Sequence, residues 1–435
     1  MLVMRLDFLK NKIVQNAGWL IGGRIAQMFI SLFVSLLTAR FLGPENFGLI
    51  NYGTAYTSFF LPFCTLGINS ILVKELIDHK GEEEIVLGSS LVIRFLSTAA
   101  LIVIIMVIVL IIDAGEKTTQ QVVFLCSLGL MFQVFEVYNY WFQSRLESKK
   151  TAIATLVAYI ITALYRLILI FRGKPVQYFA VATSIDYLCI AVLLIFYYRK
   201  ANGKRVKYSK PYGRELISRS YHFILPSIMV AVYGQTDKLM LKHMISTSEI
   251  GYYSTAVSIC SVWCFVLSAI IDSMYPSIMQ TFKDKDILLF NRKNRQLYGM
   301  IFYISLSVSG IITLFAPLII RVMYGEAYAL SVVPLRIITW YTAFSYLGVA
   351  RNAWIVSYDK QKYLKYVYFG AALSNVVLNC IFIPPFGAAG AAIASLIAQI
   401  MTTMVMPFFI KPLRENSMLM LQAICFYDYR KKKEQ

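Results

Sequence analysis

Several ionisable side chains lie where the sequence is otherwise apolar. Arg24, Arg94, Arg166, Lys238, Arg336 and Arg351 fall within or near the ends of long apolar runs, as do Arg219, Glu136, Asp186, Asp237 and Asp272. A charge at the centre of a bilayer costs at least ~2.5–3.5 kcal/mol, so each must meet a partner, water or a ligand. Guanidinium groups present paired N–H donors that fit phosphate oxygens, and embedded cations outnumber embedded acids. Binding of an anion such as a diphosphate is the chemistry this suits. Arg24, Arg94, Arg166, Arg336, Arg351 and Lys238 are therefore candidate substrate contacts. Asp186, Glu136 and Asp237 are candidates for coupling to inward proton or sodium flow.

Plainer roles compete for the same residues. Arg219, Arg336 and Arg351 are close enough to span ends for their long side chains to reach the headgroups. Asp237 beside Lys238 reads equally as a local surface pair. Arg24 or Arg94 could pair with Asp186 as a structural ion pair. Arg24 follows Gly22-Gly23, where missing side chains permit bending.

Other chemistries find little support. The seven cysteines have neither disulfide-framework nor zinc-site spacing, and His79, His222 and His243 are scattered singly. Gly173-Lys174 and Gly203-Lys204 lack the spacing and the following hydroxyl of a nucleotide-binding P-loop. No metal and no cofactor is expected. Tyr138, Tyr140 and Trp141 could stack on sugars, although aromatic belts are ordinary at membrane interfaces.

The elements that must position these groups are membrane helices. Of 435 residues, 58% are hydrophobic and 15% charged, against about 45–50% and 25% in soluble domains, which excludes a soluble enzyme. Apolar runs predict twelve helices, near 17–39, 47–70, 85–112, 119–142, 152–171, 176–198, 217–241, 250–275, 297–320, 330–356, 363–383 and 387–410. The N-terminal stretch lacks a cleavable signal, so the first helix is expected to direct insertion. Lys and Arg collect in alternate loops, which the positive-inside rule assigns to the cytoplasm; both termini are then cytoplasmic. This also explains the net charge of +19 without nucleic-acid binding. Residues 1–198 and 217–411 are expected as two six-helix bundles joined by a basic linker, 199–216, which faces anionic lipid. Residues 412–435 form a tail with an interfacial helix, Ser417 to Phe426, and a basic end. A weak repeat, offset by 203 residues, places Gly48 on Gly251.

The stretch Ala39-Arg40-Phe41-Leu42-Gly43-Pro44-Glu45-Asn46-Phe47-Gly48 resembles the signature after the first helix of polysaccharide transporters. These are the Wzx-type O-antigen and capsule flippases of the multidrug/oligosaccharidyl-lipid/polysaccharide exporter superfamily. Asp237 to Leu241, Glu249 to Tyr253, Tyr324-Gly325 and Pro384 to Ala392 resemble the second-half patches. The resemblance covers essentially the whole chain. It implies an all-α fold, two six-helix bundles forming a V-shaped cavity. The implied activity is movement of an undecaprenyl-diphosphate-linked oligosaccharide to the outer leaflet of a bacterial inner membrane, beside the polymerase and chain-length machinery of the glycan pathway. Membrane lipids are the other expected partners.

A multidrug or ion antiporter of the same fold is the alternative, although a cavity for cationic drugs should be acidic. A membrane polysaccharide polymerase or ligase would usually place its chemistry on a long outer loop, and every outer loop here is short. Export of two negative charges is favoured by ~4–5 kcal/mol per 100 mV, from about 2.3 per charge, so membrane potential alone could drive it.

Overall fold

The computed structural model describes residues 12–425. Among them are ten helices long and apolar enough to cross a membrane. The two longest are each broken once, which yields twelve crossing segments. The chain is thus an all-α, multi-pass membrane protein.

Helix α1 (Lys12–Thr65) carries the first break at Gly43, φ 71° and ψ 173°. Either side of the break retains the ~20 residues needed for one crossing. Then follow α2 (Leu72–Asp78), α3 (Glu83–Ile112), α4 (Lys117–Gln133), α5 (Val137–Ser144), α6 (Ser148–Phe171), α7 (Val176–Lys200) and α8 (Lys210–Ser220). The second half contains α9 (Ile224–Met244), α10 (Thr247–Lys283), α11 (Ile287–Met323), α12 (Val332–Ala350), α13 (Asn352–Ser357), α14 (Leu364–Ile400), α15 (Met406–Phe409) and α16 (Arg414–Ile424). The second break is in α14 at Gly387, φ 51° and ψ −129°. Both breaks need positive φ, which glycine adopts without steric cost.

The chain divides into two compact units. One comprises the described residues up to Leu42 and Leu49–Ala231; the other comprises Gly43–Gly48 and Val232 onward. The division falls inside α9, beyond the 199–216 stretch. That stretch is no free loop: Lys207 N–H donates to Glu84 O at 2.9 Å, and Ser209 N–H donates to Ser89 Oγ at 3.2 Å. Lys204 reaches Glu84 at 3.3 Å, and Arg219 reaches Glu75 at 3.0 Å. Acidic residues on α2 and α3 thereby hold the basic segment and α8 against the first unit.

The tail helix begins at Arg414 and docks into the second unit. Leu419 and Met420 are buried in its core, and Asn416 Nδ2 donates to Tyr298 Oη at 2.7 Å. The basic run Arg430 to Lys433 lies outside the described residues.

The surface inverts the soluble pattern. Leu110, Ile111, Phe171, Leu314 and Leu318 are exposed, while Ser127, Asn294, Ser305, Asn375 and Asn379 are fully buried. This is the distribution expected when the solvent is hydrocarbon and backbone and side-chain polar groups must be satisfied inside.

Candidate functional site

The signature patches converge in the second unit. A Cβ on Gly48 would lie 2.0 Å from Thr247 O, and one on Gly251 would lie 2.1 Å from Pro44 O. The two contacts are reciprocal under the 203-residue offset, so the segments that match in sequence pack on each other. Phe47 and Tyr252 each meet the edge or face of Tyr328. The Glu249 carboxylate accepts from Ala388 N–H at 2.5 Å, capping the helix that restarts after Gly387. These contacts build a junction; the candidate substrate and coupling groups, Asp237 and Lys238 of the Asp237 to Leu241 patch included, lie elsewhere.

In the first unit, two adjoining cavities of about 220 and 230 Å³ share Tyr159, Asp186 and Tyr187. Arg166 lines one, with Thr162 and Thr183. Glu136 lines the other, with Gln27 and Asn139. Thr162 Oγ1 donates to Asp186 Oδ1 at 3.5 Å. The Asp186 carboxylate feels the Arg166 guanidinium through space. Arg94 feels Glu136 instead, so the pairing of Arg94 with Asp186 is corrected: α6 and the turn before α5 supply the opposing charges. Arg94 is 1% exposed and donates from Nη2 to Gln133 O at 3.2 Å. It is absent from both cavity walls. The Arg24 side chain lies outside the described residues.

In the second unit, Asp237 is 4% exposed and takes four side-chain donors. Asn375 and Asn379 Nδ2 donate to Oδ1 at 3.0 and 2.7 Å; Tyr253 Oη and Ser395 Oγ donate to Oδ2. The surface-pair reading is therefore overturned: α10 and both limbs of α14 close around the carboxylate. It borders a cavity of about 280 Å³ that Lys238, Tyr233, Tyr341 and Tyr346 also line.

The remaining candidates separate clearly. Arg336 is exposed and donates from Nε to Thr313 O at 3.2 Å; it borders none of the three cavities, which removes it as a contact there. Arg351 does not snorkel. It is 3% exposed and donates from Nη1 to Thr402 O at 3.1 Å, within the π-helical turn Met401–Val405. Its role is to satisfy a carbonyl where the helical ladder is irregular. Asp272 and Arg219 are exposed. Tyr138 and Trp141 are packed with Tyr198 in the core of the first unit, so they offer no sugar platform.

Sequence reasoning missed Tyr253, Asn375, Asn379 and Ser395. The available signal was two asparagines one helical turn apart in an apolar run, which places both amides on one face. It also missed Asp113, buried at the end of α3 and accepting from Tyr52 Oη at 2.9 Å.

Comparison with known proteins decides the family. The model of the polysaccharide biosynthesis protein family matches residues 13–282, more than half of the chain. The chain belongs to that family. A curated relative, an uncharacterized membrane protein of Methanocaldococcus jannaschii, is 22% identical over 254 residues, 55% of this chain. The match spans about half, 49%, of that relative's length. Among solved structures, this family member is similar to a lipid II flippase, MurJ, in an inward closed conformation, with TM-score 0.70, 16% identity and 96% and 93% of the two chains covered. It is also similar to an inward-facing multidrug resistance MATE transporter of the MOP superfamily, with TM-score 0.67, 15% identity and 90% and 96% covered. A MOP superfamily transporter from Pyrococcus furiosus, whose binding pocket is described as of reverse polarity, gives 0.65, 14%, 95% and 96%. The fold is that of MOP transporters, and the chain is a transporter rather than an enzyme.

Proposed function

We propose that the chain is a flippase. It moves a polyprenyl-diphosphate-linked oligosaccharide, an O-antigen or capsule repeat unit, from the cytoplasmic to the outer leaflet of a bacterial inner membrane by alternating access. Both termini face the cytoplasm, and the pathway's polymerase and chain-length machinery takes up the product. The observation that carries this reading is the family match over residues 13–282 on a chain whose polar side chains line cavities within apolar-clad bundles. A fold shared with a lipid II flippase supports it.

Membrane potential drives the anion outward, and a cation moving inward adds to that drive. Asp237 supports such coupling because its environment accepts two protonation states. Ionised, the carboxylate takes all four donors. Neutral, its Oδ2 hydroxyl can donate its one proton to the Ser395 or the Tyr253 hydroxyl, which rotates to accept while the other goes on donating; a hydroxyl reverses by rotation, which an amide N–H does not. Asp186, facing Arg166 and flanked by two cavities, is the corresponding group in the first unit, with Glu136 beside it.

A cation-drug antiporter is the second reading, favoured by the similarity to MATE transporters; Arg166 and Lys238 on cavity walls weigh against it. Deleting the gene and identifying the lipid-linked intermediate that accumulates separates the two. Build-up of a complete, polyprenyl-linked repeat unit in the inner leaflet is expected. Normal surface glycan with heightened drug sensitivity would favour the antiporter.

A further inference from the structure

The cavity in the second unit holds a charge that the fold itself leaves unused. Asp237 is occupied by Asn375, Asn379, Tyr253 and Ser395. Lys238, the next residue, lines the same cavity. Its ammonium has no hydrogen bond or ion pair among the described residues. One point charge suits a ligand group carrying one negative charge, whereas a diphosphate calls for several donors of fixed geometry.

The rest of the wall narrows the ligand further. Tyr233, Tyr253, Tyr341 and Tyr346 line the cavity, and each brings an apolar ring face with a polar rim. That combination matches a pyranose, which has C–H faces and hydroxyl edges. Tyr233 Oη contacts Tyr341 Oη at 3.5 Å, and Ser268 Oγ contacts Tyr346 Oη at 3.5 Å, so these phenols are oriented before any ligand arrives. At about 280 Å³ the space is just under the ~300–1,000 Å³ of sites for drug-sized molecules. It is sized for part of an oligosaccharide and not for a whole repeat unit.

We propose that this cavity is a recognition subsite for an acidic sugar, in which the Lys238 ammonium pairs with the sugar carboxylate while the tyrosines hold the ring. The proposal rests on the flippase reading for the source of the sugar; its binding test does not depend on transport. It makes the second unit a reader of glycan identity, separate from any group that binds the diphosphate.

The test uses the purified full chain in lipid nanodiscs, with binding of methyl glucuronide and methyl glucoside followed by ligand-observed NMR. The glucuronide should bind about tenfold more tightly. Lys238→Gln should erase the difference and Lys238→Arg should keep most of it. Ser261→Asp, which adds a carboxylate to the same wall and leaves Lys238 in place, should also erase it; this keeps the test valid if Lys238→Gln fails to fold. Equal binding of the two glycosides by the unaltered chain would overturn the proposal, as would a preference that survives Lys238→Gln. So would tighter binding of glucose 1-phosphate than of the glucuronide, which would assign the cavity to phosphate. Flipping of a lipid-linked oligosaccharide with no glucuronide preference overturns this inference alone. Absence of flipping with the preference intact overturns the flippase reading alone.

Discussion

Replacing Asp237 by Ala should cost stability that replacement by Asn largely spares, with the same consequence for coupling. Asn375 and Asn379 each aim an amide N–H at Oδ1, and reversing either needs a 180° flip of the amide that would break the Asn379 Nδ2 donation to Asn375 Oδ1 at 3.2 Å. Tyr253 and Ser395 aim hydroxyls at Oδ2, and both can reverse. An Asn side chain therefore fits: its oxygen takes the two amides and its NH₂ donates to the two hydroxyls. Asp237→Asn reproduces the neutral carboxyl and should leave the melting temperature within a few degrees of the unaltered chain. Asp237→Ala strands two buried amide donors at about 1–3 kcal/mol each, or ~2–6 kcal/mol. At ~2–4 °C per kcal/mol for a unit of this size, the low end of that loss lowers the melting temperature by ~4 °C or more. Thermal unfolding of purified variants reads the first effect; transport into vesicles under an imposed cation gradient, without membrane potential, reads the second. Both variants should lose gradient-driven transport. An Asn variant that melts as low as the Ala variant would refute the hydroxyl-reversal argument, and gradient-driven transport retained by Asp237→Asn would remove Asp237 from coupling.

Other substitutions separate structural from functional charges. Arg166→Gln should lower thermal stability by leaving Asp186 without its opposing charge, and adding Asp186→Asn should recover most of the loss. Arg336→Ala should leave surface glycan unchanged, because its exposed guanidinium borders none of the described cavities; glycan loss at normal protein level would restore it as a contact. Arg351→Ala should reduce stability by ~1–3 kcal/mol, as a buried carbonyl loses its donor, and should show this in thermal unfolding before any change in substrate affinity. Gly251→Ala places a methyl 2.1 Å from Pro44 O, and such overpacking costs typically ~1–3 kcal/mol; reduced thermal stability together with lost export is expected.

Hydropathy alone located the crossings because lipid demands about 20 apolar residues per helix. The helix breaks at Gly43 and Gly387 match the short gaps expected between spans. Lys238, Asp186, Arg166 and Glu136 were legible as embedded charges, and each borders a cavity. Burial depth was not legible. Arg336 and Arg351 look alike in sequence, each close to a span end, yet one is exposed and the other enclosed by the π-helical turn before α15. Which carboxylate faces which arginine depends on helix rotation, and an apolar run on every face carries no moment to fix it. The Asp237 environment was hidden for a different reason. Its donors come from positions 253, 375, 379 and 395, and Tyr, Asn and Ser carry no charge to draw the eye in an apolar helix.

The most direct measurement is flipping by the purified chain in vesicles that carry a fluorescent polyprenyl-diphosphate-linked oligosaccharide, with a membrane-impermeant quencher reporting the leaflet. An inside-negative potential should speed outward movement of the unaltered protein. Lys238→Gln chains of normal stability should move a substrate that carries an acidic sugar more slowly. A leaflet distribution identical to that of protein-free vesicles, with or without potential, would contradict the flippase assignment.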